Sequence, residues 1–324
     1  MAPLTYHDAV SGALERLRGV GFEHGPRFVN HAPMAAEALA CMGYADAVPG
    51  WVDGNLRTHT YHDPPGARWT IDPADPEDWR SALGRFDRVA DWTALFAREL
   101  ALDPWREVLA RWWPRLLPGM SGVLTHGVIR TAHAVRAVSR AQPGADDRLL
   151  RDELAQGLGY WAARYATHTR ISPGDAYPAP GEEAEPGGSA TALLDGLVAE
   201  YSGVYASVPQ HHPVPLIHSI TGPAAVRLVV EHLPAAQHHV SYRVARDVSA
   251  SMLGWFSVTR PAGTTAAPSG APDLPEVFAT AAAIGDEHAI KLAEVAVRHQ
   301  ALAPDPRHAA AAHAANQGLA RFRR

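Results

Sequence analysis

The sequence is poor in several features that define large classes of protein. Its only cysteine is Cys41, which excludes an internal disulfide and a cysteine-based zinc cluster. No stretch approaches the roughly 18 consecutive apolar residues of a membrane-spanning helix, so we expect no membrane association. The first residues include Asp8 and Glu15 and form no unbroken apolar run. We therefore expect no signal peptide and a cytoplasmic protein.

Lysine is almost absent. The net charge is −5, with 29 basic and 34 acidic residues and no basic stripe, so nucleic acid is not an expected partner. Lys291 is the single lysine, and the other basic residues are arginines. A lysine can lose its proton when buried, act as a nucleophile or react with carbon dioxide to form a carbamate, whereas arginine does none of these. Lys291 therefore has either a special role or an ordinary surface position that compositional drift has left unchanged.

Strand signals are also weak. Alternating β-branched runs are missing, and alanine and leucine fill most apolar positions at helical spacing. The pattern predicts an all-α fold, a single large helical domain over residues 1–324. The predicted helices are Tyr6–Val20, Phe28–Met42, Trp79–Leu83, Trp92–Leu102, Trp105–Leu116, Met120–Ala141, Asp146–His168, Ser189–Ser207, Leu216–Leu233, Gln237–Phe256, Leu274–Ile284, Asp286–Ala301 and Arg307–Phe322.

Three stretches rich in proline and glycine interrupt the helical pattern, at residues 49–78, 172–188 and 261–275. The first also contains Trp51, Tyr61 and Trp69. A structureless segment of that length is either a functional loop, here one that covers a pocket, or a plain surface loop. We interpret the other two as flexible excursions from one domain.

Histidine, in contrast, is abundant, with 18 residues. His288 and Lys291 are three positions apart, so they share one face of a predicted helix. A carbamate on Lys291 would be a carboxylate on a long stem and would add a hard oxygen ligand to a histidine site. His31 and His218 also lie at predicted helix starts among small or apolar residues. Each histidine alone is more often a satisfied core residue than a ligand.

A fourth histidine-containing segment has His126, Arg130 and His133 along one stripe of a helix that is apolar on most other sides. His126 and His133 are about 10.5 Å apart along the helix axis at the standard rise, so one ion could hardly bind both. We expect one of them to be a metal ligand, without choosing between them. His133 or Arg130 could then orient or polarise a carbonyl of the substrate.

Together these segments resemble the questin oxidase-like family. The resemblance runs in order over about residues 5–320 and is carried by NHAPMAAEAL, DPEDWRSALG, THGVIRTAHA, PLIHSITGPAAVR and DEHAIKLAE. It implies a helical oxidoreductase of aromatic polyketide metabolism that performs Baeyer–Villiger-type or ring-opening oxygenation of quinones. It also implies a non-haem iron held by four histidines and a carboxylated lysine. Carried over by motif, these ligands are His31, His126, His218, His288 and Lys291.

The expected partners are therefore dioxygen and an aromatic small molecule. Trp51 and the pair Trp112–Trp113 could provide flat walls for it, although an ordinary core or surface position is better supported for each of them singly. No GxGxxG fingerprint is present, so a bound flavin or nicotinamide is not indicated, and the electron donor and the oligomeric state stay open. Two other hypotheses are a non-catalytic helical protein that binds an aromatic metabolite and a metal-dependent hydrolase. Against the hydrolase, the ligand segments are short of carboxylates, with Asp286 the only nearby candidate.

Overall fold

The computed structural model describes residues 2–141, 147–168, 187–209, 213–259 and 273–322. It confirms the all-α fold, since it is 73% helical and its only sheet within the described residues has two strands. The helices are α1 Tyr6–Arg16, α2 Ala32–Cys41, α3 Val48–Thr58, α4 Pro76–Ala82, α5 Val89–Leu102, α6 Trp105–Leu116, α7 His126–Ser139, α8 Arg148–Ala163, α9 Ala190–Ser207, α10 Pro213–Val230, α11 His238–Trp255, α12 Leu274–Ile284, α13 Glu287–Leu302 and α14 Pro306–Phe322. The strands are β1 Glu23–His24 and β2 Phe28–Val29.

Side-chain caps define several of the helix starts. At each of these positions a side-chain oxygen accepts a hydrogen bond from a backbone N–H of the first turn, which has no partner inside the helix. The capping residues are Thr5, Asp75, Ser189, Asp273 and Asp286. These caps fix where the helices begin. The cap at Asp286 fixes the start of α13, which contributes to the candidate site.

Two predicted helices begin later in the structure than in the sequence analysis. The prediction Phe28–Met42 is wrong at its start, because the chain first forms the β1–β2 hairpin and α2 begins only at Ala32. The prediction Met120–Ala141 is also wrong at its start, since α7 begins at His126. The residues just before it, Val123, Leu124 and Thr125, have positive φ angles of 42°, 53° and 64°, which no right-handed helix contains.

The prediction of an irregular stretch at residues 49–78 is wrong in part. Residues 48–58 form α3, because Pro49 occupies the first turn, where the missing N–H costs nothing. The end of the stretch enters α4 at Pro76, so irregular backbone is confined to the residues between these two helices. The predicted excursions at 172–188 and 261–275 lie outside the described residues over 172–186 and 261–272.

One continuous hydrophobic cluster extends from Ala9 to Leu319. Near its middle, α7 packs against α2, α8 and α10, while α13 packs against α2 and α10. Every residue of α7 from His126 to Val138 is buried. Gly127 allows close approach to α8, because a Cβ added there would lie 2.6 Å from the Cα atom of Trp161. The helices α2, α7, α10 and α13 therefore meet in the interior of the fold.

One described helix, α10, is long and apolar enough to cross a membrane by length and composition alone. However, 83% of its apolar window is buried inside the protein. Its apolar character is thus accounted for by packing against α7, α9 and α11. This is the environment of a buried core helix.

Candidate metal centre

Four buried histidines from four different segments converge at one point in the structure. They are His31, His126, His218 and His288, and each contributes a ring nitrogen to a group whose atoms all lie within 4.8 Å of one another. The Nε2 atom of His126 lies 2.6 Å from Nε2 of His31 and 3.0 Å from Nε2 of His218. The structure thus brings together the four histidines that the sequence analysis named as ligands, with His126 rather than His133 in the cluster.

His31 follows the β1–β2 hairpin and immediately precedes α2. The side chain of Asn30 fixes this junction, because its Nδ2 donates to the carbonyl of Gly21 at 2.9 Å and its Oδ1 accepts from the N–H of Ala32 at 3.0 Å. Pro33 then starts the helix in its first turn. The local sequence therefore holds His31 at the N-terminal end of α2, in the protein interior.

His126 is positioned by the strained turn at Val123, Leu124 and Thr125. A left-handed conformation costs roughly 1–2 kcal/mol per non-glycine residue, so three in succession are unfavourable. The turn places the carbonyl oxygen of Val123 in hydrogen-bond contact with Nδ1 of His126. Strained backbone of this kind persists where the surrounding structure imposes it, and such residues cluster at functional sites.

His218 and His288 are held by their own helices. Nδ1 of His218 lies 3.0 Å from the carbonyl oxygen of Val214, in the first turn of α10. His288 lies in the first turn of α13, where the capping residue Asp286 accepts from its backbone N–H at 2.8 Å and places Oδ1 3.4 Å from its Nδ1. Both rings are therefore oriented by contacts to Nδ1.

In all four rings an oxygen lies near Nδ1, and in His31, His126 and His218 the Nε2 atom faces the cluster. For His31 the oxygen is Oε1 of Glu287, 3.6 Å from Nδ1. A neutral histidine whose Nδ1 carries the proton has only a lone pair on Nε2. Two such lone pairs 3.0 Å apart, as in His126 and His218, repel each other unless a cation or a proton lies between them.

A cationic, doubly protonated ring is disfavoured in this position. Burial holds the pKa values of His31, His126 and His218 well below the usual range of histidine. The positive charge of Lys291 lowers the same three pKa values further. These three rings are therefore neutral near pH 7, and their geometry suits a metal cation, since neutral imidazole is a common metal ligand.

Lys291 is buried, with 1% of its surface exposed, and lies one turn after His288. Among the described residues its Nζ atom has no hydrogen-bond partner. Burial lowers the pKa of Lys291 to about 8, although the negative charges of Glu287 and Asp286 oppose the shift. A buried amine with a depressed pKa is the form of lysine that reacts with carbon dioxide, so Lys291 suits carbamylation.

The cluster lies at one wall of an open pocket of about 440 Å³, a volume typical of small-molecule sites. Apolar residues make up much of the lining: Phe28, Val29, Val123, Leu124, Val214 and Pro215. The charged residues of the lining are Arg27, Asp286 and Glu287. A ligand that enters this pocket meets apolar walls and then the four histidines.

Arg130 and His133, to which the sequence analysis gave catalytic roles, do not line this pocket. Arg130 donates from Nε and Nη2 to the carboxylate of Glu153 at 2.7 and 2.8 Å. Nδ1 of His133 lies 2.7 Å from Oε2 of Glu37. Both side chains are engaged by buried acidic partners, so the geometry gives no support to their action on a substrate carbonyl.

His133 belongs to a larger buried group, the Glu37 network. Arg136 donates to Glu37 at 2.8 Å and also bonds to Glu294, while Tyr6 donates to Glu37 at 2.6 Å. Arg298 adds a further bond to Glu294 at 2.9 Å. The members of this network are Tyr6, Glu37, His133, Arg136, Glu294 and Arg298. It connects α2, α7 and α13, which are also helices that present histidines to the cluster.

The expected tryptophan walls are absent from the described lining of the pocket. Trp112 and Trp113 are fully buried in the core, where they contact Trp79, Trp92, Phe96 and Trp161. Trp51 donates from Nε1 to the carbonyl of Gly285 at 3.0 Å, just before the cap of α13. None of these three tryptophans is among the lining residues, so the pocket gives no support to their role as walls.

Sequence reasoning undervalued two acidic residues of the site. Asp286 was considered only as a carboxylate for a hydrolase site and Glu287 was given no role, yet both line the pocket and lie near Nδ1 atoms of cluster histidines. The spacing offered a signal for Asp286, because an aspartate two positions before a histidine at a helix start is a natural cap. For Glu287 the partner, His31, is remote in sequence, so no local pattern could have found it.

Comparison with protein-family models and with curated protein sequences gives no match for this chain.

Proposed function

We propose that the protein is a mononuclear non-haem iron oxidoreductase that acts with dioxygen on a quinone or related aromatic polyketide. The observation that carries the proposal is the convergence of four buried histidines, each with a ring nitrogen in a group that spans no more than 4.8 Å. The choice of iron and of the substrate class rests on the resemblance of the five sequence segments to the questin oxidase-like family. The bound iron would supply the redox chemistry with dioxygen.

Lys291, as its carbamate, is the proposed fifth ligand. A lysine ammonium beside four histidines would repel a cation, so the site can bind metal only when this side chain is neutral or modified. Carbamylation converts the unpartnered Nζ into a carboxylate, which supplies an oxygen donor and a negative charge. The single retained lysine and its buried position both support this assignment.

The remaining residues of the site orient ligands and shape the pocket. Asp286 and Glu287 lie beside Nδ1 of His288 and His31, and such carboxylates fix the ring orientation and increase the basicity of metal-binding histidines. Phe28, Val29 and Leu124 supply apolar surface beside the histidines. We propose that these walls hold a planar ring and exclude water from the reacting face. One cysteine in the whole chain is typical of a cytoplasmic protein, and we place the reaction there.

A metal-dependent hydrolase is the second candidate. The carboxylate of Glu287 lies in the pocket beside the histidines, where it could act as a general base. In the described part of the chain, however, only one group of potential metal ligands is present, and it has no carboxylate to bridge a second ion. This favours a mononuclear centre over the dinuclear arrangement in which carbamylated lysines serve hydrolases.

The proposed function is tested by oxygen uptake. Protein loaded anaerobically with ferrous iron and bicarbonate is mixed with a hydroxyanthraquinone in air-saturated buffer, and oxygen consumption is followed with an electrode. We expect consumption that depends on the quinone and is lost in Lys291→Arg, because arginine stays charged and forms no carbamate. Quinone binding without oxygen consumption would indicate the non-catalytic binding protein, and hydrolysis of aromatic esters without it would favour the hydrolase.

A further inference from the structure

The β1–β2 hairpin forms the outer edge of the pocket and presents two unusual residues there. Arg27 and Phe28 both line the pocket, and 59% of the surface of Phe28 is exposed. The ring of His24, from the other strand, lies 5.7 Å from the ring of Phe28 and lines the same pocket. The hairpin therefore offers an aromatic surface and a guanidinium group side by side.

Neither feature is explained by folding stability. Arg27 has a φ angle of 82°, a left-handed conformation that costs a non-glycine residue free energy. Phe28 leaves most of its ring in water although a buried phenylalanine would stabilise the fold. Features that oppose stability and lie together at a pocket are candidates for ligand recognition.

The hairpin is held rigidly. His62 donates from its backbone N–H to the carbonyl of Glu23 at 2.9 Å, and its Nε2 lies 2.7 Å from the carbonyl oxygen of Gly25. The buried carboxylate of Glu23 accepts from Arg164 at 2.7 Å and from Tyr160 at 2.9 Å. Arg27 and Phe28 are thus presented by a supported element, and little ordering of the backbone is needed when a ligand binds.

Charge is distributed unevenly along the pocket. Asp286 and Glu287 lie beside the histidines, where they are engaged with Nδ1 of His288 and His31. Among the described residues Arg27 makes no ion pair, so its charge at the hairpin is available to a ligand. An anionic group on a ligand is attracted to the hairpin and repelled by the two carboxylates near the cluster.

We infer that the pocket binds a planar aromatic acid, with the acidic group on Arg27 and the ring against Phe28 and His24. This inference rests on the proposed function for the identity of the reacting ring. Arginine is well suited to a carboxylate because its planar guanidinium donates two parallel hydrogen bonds to the two oxygens. Binding in this orientation turns the uncharged edge of the ring towards the four histidines. The hairpin therefore selects the substrate and sets which edge of it faces the cluster.

The test uses 2-naphthoate and its uncharged counterpart 2-naphthamide as probes, titrated calorimetrically into the full-length protein at low salt. We expect the wild type to bind the acid about fivefold more tightly than the amide, as for one charge-assisted contact at a partly exposed site. Arg27→Gln should bind both equally, and Phe28→Ala should weaken both. Arg57→Gln is the matched control, since Arg57 is exposed but does not line the pocket, and it should retain the wild-type preference.

Equal binding of acid and amide by the wild type, or an unchanged preference in Arg27→Gln, would overturn the inference. Metal content measured on the same samples separates it from the proposed function. Arg27→Gln should keep the metal content of the wild type, because Arg27 is not among the clustered residues. A metal-free protein that still prefers the acid through Arg27 would end the iron proposal and leave the anion site in place.

Discussion

The histidine cluster and the Glu37 network are two buried polar regions whose groups come in part from the same segments of the chain. Along α13, His288 and Lys291 belong to the first region and Glu294 and Arg298 to the second, on one continuous face of the helix. In the network each acidic group has an arginine partner. Glu37 contacts Arg136, and Glu294 contacts Arg136 and Arg298. In the cluster, basic nitrogens face one another and Lys291 has no described partner.

This difference distinguishes a polar region whose charged partners lie within the protein from one to which we assign a function. Buried charges are tolerated when the protein itself supplies their partners, and such a network positions helices. A second ionic group does the same for α10, where Arg227 contacts Asp195 of α9 at 3.1 Å and Asp195 also contacts His299 of α13 at 3.2 Å. For the histidine cluster, in contrast, we propose a partner from outside the chain, a metal ion. The two ionic networks fix the positions of α2, α7, α10 and α13, and these helices in turn position the four histidines.

The largest expected effect is on stability and concerns the network. Arg136→Met removes the guanidinium group that Glu37 and Glu294 share, so their buried carboxylates lose this partner. We expect the free energy of unfolding, measured by urea denaturation, to fall by about 3–5 kcal/mol. The metal-to-protein ratio of the folded fraction should stay that of the wild type. Arg140→Met, on the exposed end of the same helix, is the control, with an expected loss below about 1 kcal/mol. Similar losses in both variants would show that the network is not structural.

A second prediction uses pH to isolate Glu37. Burial alone would raise the pKa of this carboxyl, but Arg136 and His133 hold it at about 2 in the folded protein. A depressed carboxyl pKa stabilises the fold above the unfolded value near 4.5, and this contribution is lost as the pH falls through the folded value. We expect roughly 3 kcal/mol of acid-sensitive stability from Glu37 between about pH 4.5 and 2.

Urea denaturation over this pH range is the measurement, with Glu37→Gln as the comparison. The buried histidines also destabilise the fold in acid, because their depressed pKa values require them to take up protons only on unfolding. The background from the cluster histidines is common to both proteins, but Glu37 raises the pKa of His133, so the difference between the two pH profiles reports on Glu37 together with His133. Parallel profiles would contradict the assignment of a depressed pKa to Glu37.

A smaller effect is expected for Asp286, which has one structural role and one role at the histidine cluster. Its carboxylate both caps α13 and lies beside Nδ1 of His288. Asp286→Ala should lose about 1 kcal/mol of stability with the cap and about tenfold to 100-fold in metal affinity with the orienting carboxylate. Asp286→Ser should keep the cap and lose only the metal affinity. Competition with a fluorescent chelator measures the affinity. Equal metal affinity in Asp286→Ser and the wild type would show that Asp286 is only a cap.

The parts that could be predicted from sequence are those carried by composition and local spacing. Helical periodicity predicted the all-α fold, and the retention of one lysine in an arginine-rich chain drew attention to Lys291, which the structure buries. The choice between His126 and His133 could not be made, because both lie on the same stripe of α7 and their partners are remote. Glu37 lies 96 positions from His133 in sequence. The left-handed turn at residues 123–125 was also unpredictable, since valine, leucine and threonine all disfavour it.

The central claim is that the cluster binds a metal ion and the network does not. Elemental analysis of protein purified without chelators tests it most directly, on the wild type, His126→Ala and His133→Ala. These two histidines lie two turns apart on the same buried helix, one in each region. We predict one ion per chain in the wild type and in His133→Ala, and loss of the ion in His126→Ala. A wild type without bound metal, or a His126→Ala variant that retains the full complement, would contradict the account.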